Sequence, residues 1–323
     1  VAPLRVSEDI EECGRLWQTL WPRQGLFDLW EVRAAFHNHF RRRPYFIVSE
    51  AHGRPNGLLA LSRLEAEQHF AHFPGETWQG KTWLEQNRIV ADDAEIFSAM
   101  LAAVPGRLHL RYLTRSSFPE KRFTMAVDET GYLFHPPAVA YSFPKYRELI
   151  PTKSRKKIDK ELARFMAAGV AFRHDRPADI DLLFRMNLAA FGESSYFAEP
   201  RFRQSFTELI SFLSRAGMLR VTTVLIGGKE AAIDLGAIWN KQYTVLAGGA
   251  SPEFPGVAKL INFHHLEWAC RSRQQSVDFL CGDFGWKERF RLTPRPLFEL
   301  RINNHGAGRG NHLDHGSRAV ALQ

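Results

Sequence analysis

LRVTTVLIGGKEAAIDLGAIWNKQYTVLAGGASPEFPGVAKLINFHHLEWACRSRQQSVDFLCGDFGWKERF, residues Leu219 to Phe290, decides the fold. The segments LRVTTVLIGG, AAIDLGAIW and YTVLAGGAS are β-branched or alternate apolar with polar residues. Their breaks at Gly227-Gly228 and at Asn240-Lys241-Gln242 read as hairpin turns, so three antiparallel strands are expected. EFPGVAKLINFHHLEWACRSR then places Val257, Leu260, Ile261, His264, Leu266 and Trp268 near helical spacing, with Gly256 at the mouth of the helix. VDFLC follows as a short buried strand. A meander feeding a helix whose N-terminus opens beside a strand end leaves backbone N–H groups able to meet a pyrophosphate.

Upstream of this stretch, VAFRH reads as a strand, and Asp179 to Phe191 and Arg201 to Ala216 as helices. The first half shows the same order. A strand at Leu4 to Val6 precedes a helix capped by Ser7 with Ile10, Cys13, Leu16 and Trp17 on its apolar face, and a second helix spans Leu29 to Phe40. PYFIVSE and NGLLALSRL are strands around the turn His52-Gly53-Arg54-Pro55. A helix from Ala94 to Ala103 and the alternating strand RLHLRYL complete the half. An order repeated at domain length points to two copies of one α/β (α+β) fold, each a mixed, mostly antiparallel sheet flanked by helices. The division expected is 1–147, 148–302 and a mobile tail, 303–323, which has little to bury. The second copy opens with TKSRKKIDKELARFMAAG, a basic helix ending at Gly169.

At 323 residues, 45% hydrophobic and 24% charged, the composition is that of a globular protein. A net charge of +8 suits a polyanionic contact and does not choose among CoA phosphates, tRNA, other nucleic acid and an anionic membrane. Cys13, Cys270 and Cys281 are too few and too scattered for a disulfide framework or a C-x-x-C metal site, so a cytoplasmic location is expected. No apolar run approaches the roughly 20 residues of a membrane span, and no integral membrane segment is expected.

PKYRELIPTKSRKKIDKELARFMAAGV, IDLGAIWNKQYTVLAGGASPEFPGVAKLINFHHLEWA and VDFLCGDFGWKERF together resemble the GNAT acyltransferases of the CelD type, relatives of the FemABX peptidyltransferases. The resemblance covers residues 1 to 302 and is strongest from Pro144 to Phe290. It implies two tandem GNAT-like domains, a basic helix entering the second, and a Gly-Asp-x-x-x-Lys run after its fifth strand. It also implies transfer of an acyl group from a thioester, acyl-CoA or acetyl-CoA as co-substrate, to a small-molecule or peptide amine. One departure concerns the donor loop. The usual Gln or Arg followed by x-x-Gly-x-Gly or Ala is replaced here by PEFPGVAKL.

For the donor, Ala247, Gly248, Gly249, Pro255, Gly256, Val257, Ala258 and Lys259 are the candidate cradle. Small residues there let a backbone approach phosphate oxygens at a helix start, although the same glycines suit an ordinary turn. Asp283 and Lys287, four apart, could take a proton from the incoming ammonium and stabilise an oxyanion or phosphate, or form a cap and an ion pair. Asp234 is costly inside the apolar strand AAIDLGAIW unless it faces a cleft or a solvated surface, and it is a candidate base or amine anchor.

Glu193 and Tyr196 in the loop GESSYFAEPRF, with Tyr243 and Trp286, are candidate substrate contacts. Tyr243 fits equally as a packed strand residue, and no tyrosine stands after the fifth strand, where GNAT enzymes often keep their general acid. Lys153, Lys157, Lys160 and Arg164 share a helical face that could meet CoA, tRNA or a membrane, or simply be solvated. The histidines, including His264-His265, lack the spacing of a metal cage, so no metal is expected. Three functions follow: an acyl-CoA-dependent N-acyltransferase acting by direct attack, a FemX-like transferase using aminoacyl-tRNA, and a non-catalytic GNAT-fold binding module.

Overall fold

The computed structural model describes residues 3–115, 126–282 and 285–303. The first half comprises β1 (Leu4–Ser7), α1 (Ile10–Leu20), α2 (Trp30–Phe40), β2 (Arg43–Ala51), β3 (Arg54–Leu64), β4 (His69–His72), β5 (Val90–Ala91), α3 (Ala94–Ala102), β6 (Arg107–Leu113) and β7 (Ala126–Phe134). Asp9 caps α1 by accepting from the Glu12 N–H, while the expected cap, Ser7, ends β1. α4 (Phe143–Leu149) and the basic α5 (Thr152–Ala167) lead on to β8 (Val170–His174), α6 (Ala178–Phe191) and α7 (Pro200–Arg215). The expected meander is β9 (Leu219–Ile226), β10 (Lys229–Trp239) and β11 (Gln242–Ala250), followed by α8 (Val257–Arg271), β12 (Ser276–Asp278), α9 (Trp286–Arg289) and β13 (Thr293–Asn303). The sequence patterning marks no strand at β4, β5, β7 or β13.

All these strands join one mixed sheet in the order β1-β2-β3-β4-β6-β13-β7-β12-β11-β10-β9-β8, with β5 beside β3. The two halves trade their last strands. β13, from the end of the chain, lies between β6 and β7, and β7, from the first half, pairs with β12 of the second. Pro294 and Pro296 fall where β13 pairs only with β7, a position that tolerates a missing N–H donor. The halves also share a core, in which Phe36 and Trp83 pack on Phe206, and Phe40 on Phe202.

Two neighbours in the sheet are parallel, β4 with β6 and β11 with β12, and each pairing is short. Each pair then opens a gap, and the two gaps differ in content. In the first half the chain itself enters. Asn87 bridges to Leu113, its N–H donating to Tyr112 O at 2.8 Å, and the Thr114 N–H returns to Asn87 O at 2.9 Å. Buried Arg33 holds this segment by donating to the carbonyls of Phe27, Phe73 and Glu85, and Glu76 accepts from the N–H groups of Trp83 and Leu84. A cavity of about 180 Å³ remains there.

Candidate active site

β11 and β12 stay in register for only three residue pairs, Gln242 with Ser276 to Thr244 with Asp278. β11 runs on to Ala250 while the chain beyond Asp278 turns aside, and the space between is a cleft of about 660 Å³. Val245 to Ala250 form one wall and Phe279 to Gly282 the other. In the β10–β11 ladder Leu235 faces Ala247 and Gly236 faces Val245, so Leu246 is an extra, bulged residue. A bulge leaves backbone polar groups outside the ladder, here along the cleft wall.

Asp234 sits opposite Gly248 and lines the cleft, 7% exposed. His265, fully buried on α8, approaches Asp234 Oδ2 through Nε2 at 2.9 Å. An ionised carboxylate only accepts, so Nε2 is the protonated nitrogen that donates. A side chain at 248 would collide with the Asp234 carboxylate, so this glycine is required for the aspartate to occupy its place. At Gly249 an added Cβ would lie 2.8 Å from Met186 Cβ and 2.9 Å from Leu183 O, so the glycine lets α6 close onto β11. Asn187 of α6 donates to Gly248 O at 2.7 Å and is itself held by the Ser195 hydroxyl.

The α8 mouth is built as the glycine predicts. Gly256 adopts φ 87°, in the left-handed region, and caps the helix. Arg164 of α5 donates to Pro255 O, Lys259 pairs with Glu161, and both cations lie 3.9 Å from where a Gly256 Cβ would stand. Of the donor candidates, Ala247, Gly248, Gly249 and Ala258 line the cleft. Val257 is in the core, and Pro255, Gly256 and Lys259 stand at the helix mouth outside the lining.

On the opposite wall Lys287, 2% exposed, donates to the carbonyls of Phe279 (3.0 Å), Leu280 (2.8 Å) and Cys281 (2.9 Å). Burial lowers its pKa, and nearby carboxylates oppose that shift. With those carbonyls gathered on one side, the Leu280 N–H meets Asp278 Oδ1 at 2.9 Å, and the Cys281 N–H meets Glu85 Oε1 at 2.7 Å. Leu280 takes φ 56°, a strained value that this bonding on both sides sustains. Trp286 lines the cleft with its ring edge-on to Phe279, whereas Asp283 lies outside the described residues.

Tyr196 is half-buried in the cleft wall, its hydroxyl donating to Thr82 O at 3.1 Å. Tyr243 is wholly buried against His265 and Trp268, outside the lining, and its pKa is raised by burial and by the Asp234 charge. Glu193 is exposed on a 3-10 turn outside the cleft. Cys281 reaches the cleft, but burial and the neighbouring Glu85 hold its pKa far above that of a reactive thiol. No group of three His, Cys, Asp or Glu able to hold a metal ion exists among the described residues.

Glu85, which sequence reasoning did not single out, enters the cleft from the segment that fills the first-half gap. It is 5% exposed, and burial, then the charge of Asp278, pushes its pKa up to about 7 against the bond from Cys281 and the charge of Arg295. Tyr112 and Glu129 arrive beside it at irregularities in the ladders of β13 with β6 and β7. Tyr112 adopts φ 53°, and its N–H is fixed by Asp128 at 3.1 Å. In WLEQN nothing but an acidic residue beside Trp83 and Leu84 marks Glu85. Its position depends on a gap visible only in the folded sheet.

Residues 152–288 match the family model described as an acetyltransferase (GNAT) domain. Comparison with curated protein sequences gives no match. Among solved structures, FemX aligns with a TM-score of 0.58 at 10% identity over 93% of this chain and 97% of that one. The L-PGS structure from Bacillus licheniformis aligns at 0.55 and 10% identity, covering 93% of each chain. A tandem GNAT protein from the clavulanic acid biosynthesis pathway aligns at 0.51 and 12% identity, over 96% of this chain and 100% of its own. At such identities the likeness is one of fold, and that fold spans both halves: two GNAT-like domains in tandem. Residues 152–288 are thus identified as a GNAT acetyltransferase domain, and it is in this segment that the cleft between β11 and β12 opens.

Proposed function

We propose that the chain moves an acyl group from an acyl-CoA thioester to the amine of a small molecule or peptide by direct attack in the second-half cleft. The observation that carries this reading is the parting of β11 from β12 beside the Leu246 bulge. The donor's carbonyl would lie along Val245 to Ala247, where backbone polar groups outside the ladder polarise it, and its phosphates at the α8 mouth between Arg164 and Lys259. Asp234, oriented by His265, anchors the incoming ammonium. Ala247, Gly248, Gly249 and Ala258 form the near part of the donor cradle, and Pro255, Gly256 and Val257 shape the helix start behind it. Tyr196 and Trp286 contact the acceptor, while Lys287 acts by holding the Phe279 to Cys281 wall.

This reading places the division between the halves near residue 147 and the reaction in the cytoplasm, where acyl-CoA is made and free thiols persist. Calorimetric titration with CoA, acetyl-CoA and longer acyl-CoAs tests it, together with mass spectrometry of ligand copurified with the protein. Saturable heat from a thioester supports the reading, and silence from every one removes it. The exposed Lys153, Lys157, Lys160 and Arg164 on α5 favour a second reading, with aminoacyl-tRNA as donor. Strong salt-dependent tRNA binding without any response to acyl-CoA would select that one.

A further inference from the structure

We propose that Glu85, supplied by the first half, takes the acceptor's proton in the second-half cleft, and that the acceptor is a primary ammonium on an apolar or aromatic body. The assignment rests on the acyl-transfer reading above. Direct attack needs a free lone pair on nitrogen, whereas an aliphatic amine arrives as its ammonium ion. Three other groups of the cleft are committed. Asp234 Oδ2 is held by His265, the Lys287 ammonium is spent on carbonyls, and burial keeps Cys281 a thiol.

Glu85 differs from them. Its Oε1 is fixed by the Cys281 N–H, while Oε2 has no hydrogen-bond partner among the described residues; Arg295, 3.9 Å away, and the Lys287 ammonium are its counter-charges. A buried carboxylate oxygen left open beside a cleft is expensive unless something occupies it. Glu85, Glu129 and Asp234 make the cleft acidic around one spent cation, which favours a cationic guest. Trp83, Phe197, Phe206, Phe279 and Trp286 supply aromatic faces for the body behind it.

The step balances. Glu85 removes one proton from R-NH3+, and the nitrogen lone pair forms the C–N bond at the thioester carbonyl. The tetrahedral adduct collapses with loss of the C–S bond, and a second N–H proton passes to the departing thiolate. The products are amide and free thiol, and Glu85 gives its proton to solvent.

The groups around Glu85 are Asp278 on β12, Arg295 on β13, Lys287 on α9, Cys281, Tyr112 on β6, Glu129 on β7, and Tyr196. Burial and Asp278 outweigh Arg295, so its proton is lost near neutrality, and transfer should rise with pH through about 7. The test compares wild type, Glu85→Gln and Glu85→Asp with acetyl-CoA and octanoyl-CoA as donors and 2-phenylethylamine as acceptor. kcat/KM is followed from pH 5.5 to 9, donor binding by calorimetry, and folding by thermal melting.

Expected is a loss on the order of 10²- to 10⁴-fold in Glu85→Gln, with the limb near pH 7 gone, donor affinity kept and part of the rate restored in Glu85→Asp. Transfer by Glu85→Gln at the wild-type rate and pH profile would overturn the assignment and leave the acyl-transfer reading standing. If the wild type binds neither thioester and transfers from neither, both fall together.

Discussion

Lys287 shows how one buried side chain can set a cleft wall. Its amino group turns the carbonyls of Phe279, Leu280 and Cys281 inward, and that choice delivers the Cys281 N–H to Glu85. Lys287→Met would leave those carbonyls without their charged donor. A loss of roughly 3 kcal/mol is expected in chemical unfolding, since hydrogen bonds to charged groups contribute about 1.5–3 kcal/mol each and the wall relaxes in part. At Asp234 the expectation is different. Asp234→Asn keeps an oxygen for His265 and removes the negative charge, so transfer should fall at least tenfold while calorimetric donor affinity stays within about twofold. An unchanged rate would strip Asp234 of its role. Asp234 could be picked out of the sequence because a carboxylate in AAIDLGAIW has to be explained. Glu85 could not, since its neighbours in the chain give no periodic context and its neighbours in space come from β12, β13 and α9.

Among the elements, β11 carries most of the site, and two adjacent glycines on it should respond differently to the same added methyl. Gly249→Ala drives a carbon into Met186 and the Leu183 carbonyl, so α6 must shift, at a cost of about 1–3 kcal/mol seen as a lower melting temperature. Gly248→Ala meets the Asp234 carboxylate instead, a side chain that can swing away. Activity should drop there by more than tenfold with a smaller stability change, and the contrast is read by pairing melting curves with rates. The elements that could be read from sequence, β9 to β11 and α8, have turn residues between them and one clear periodicity each. β7 and β13 lack such marks. AVDETGYLF carries a polar run and a glycine in its middle, and TPRPLFELRIN has two prolines, features that argue against a strand unless its neighbours are known.

At the scale of the molecule, the interleaving of β6, β13, β7 and β12 sets what can be separated. A fragment of residues 148–302 keeps β13 but loses both strands that flank it, and its β12 loses β7. Such a fragment should fail to show a cooperative melt by circular dichroism, and a sharp transition close to that of the whole chain would contradict this. Two α/β units could be read from the repeated order of elements. Their exchange of strands could not, because it depends on which edges meet, and local patterning does not encode that. The exchange also bears on how the chain is made. The slot between β6 and β7 must wait for β13, which comes last in the chain among the described strands, so the first half can complete its sheet only after residues 293–303 have left the ribosome. Until then β6 and β7 present unpaired edges, and a nascent chain stalled before residue 293 should be a target for chaperones.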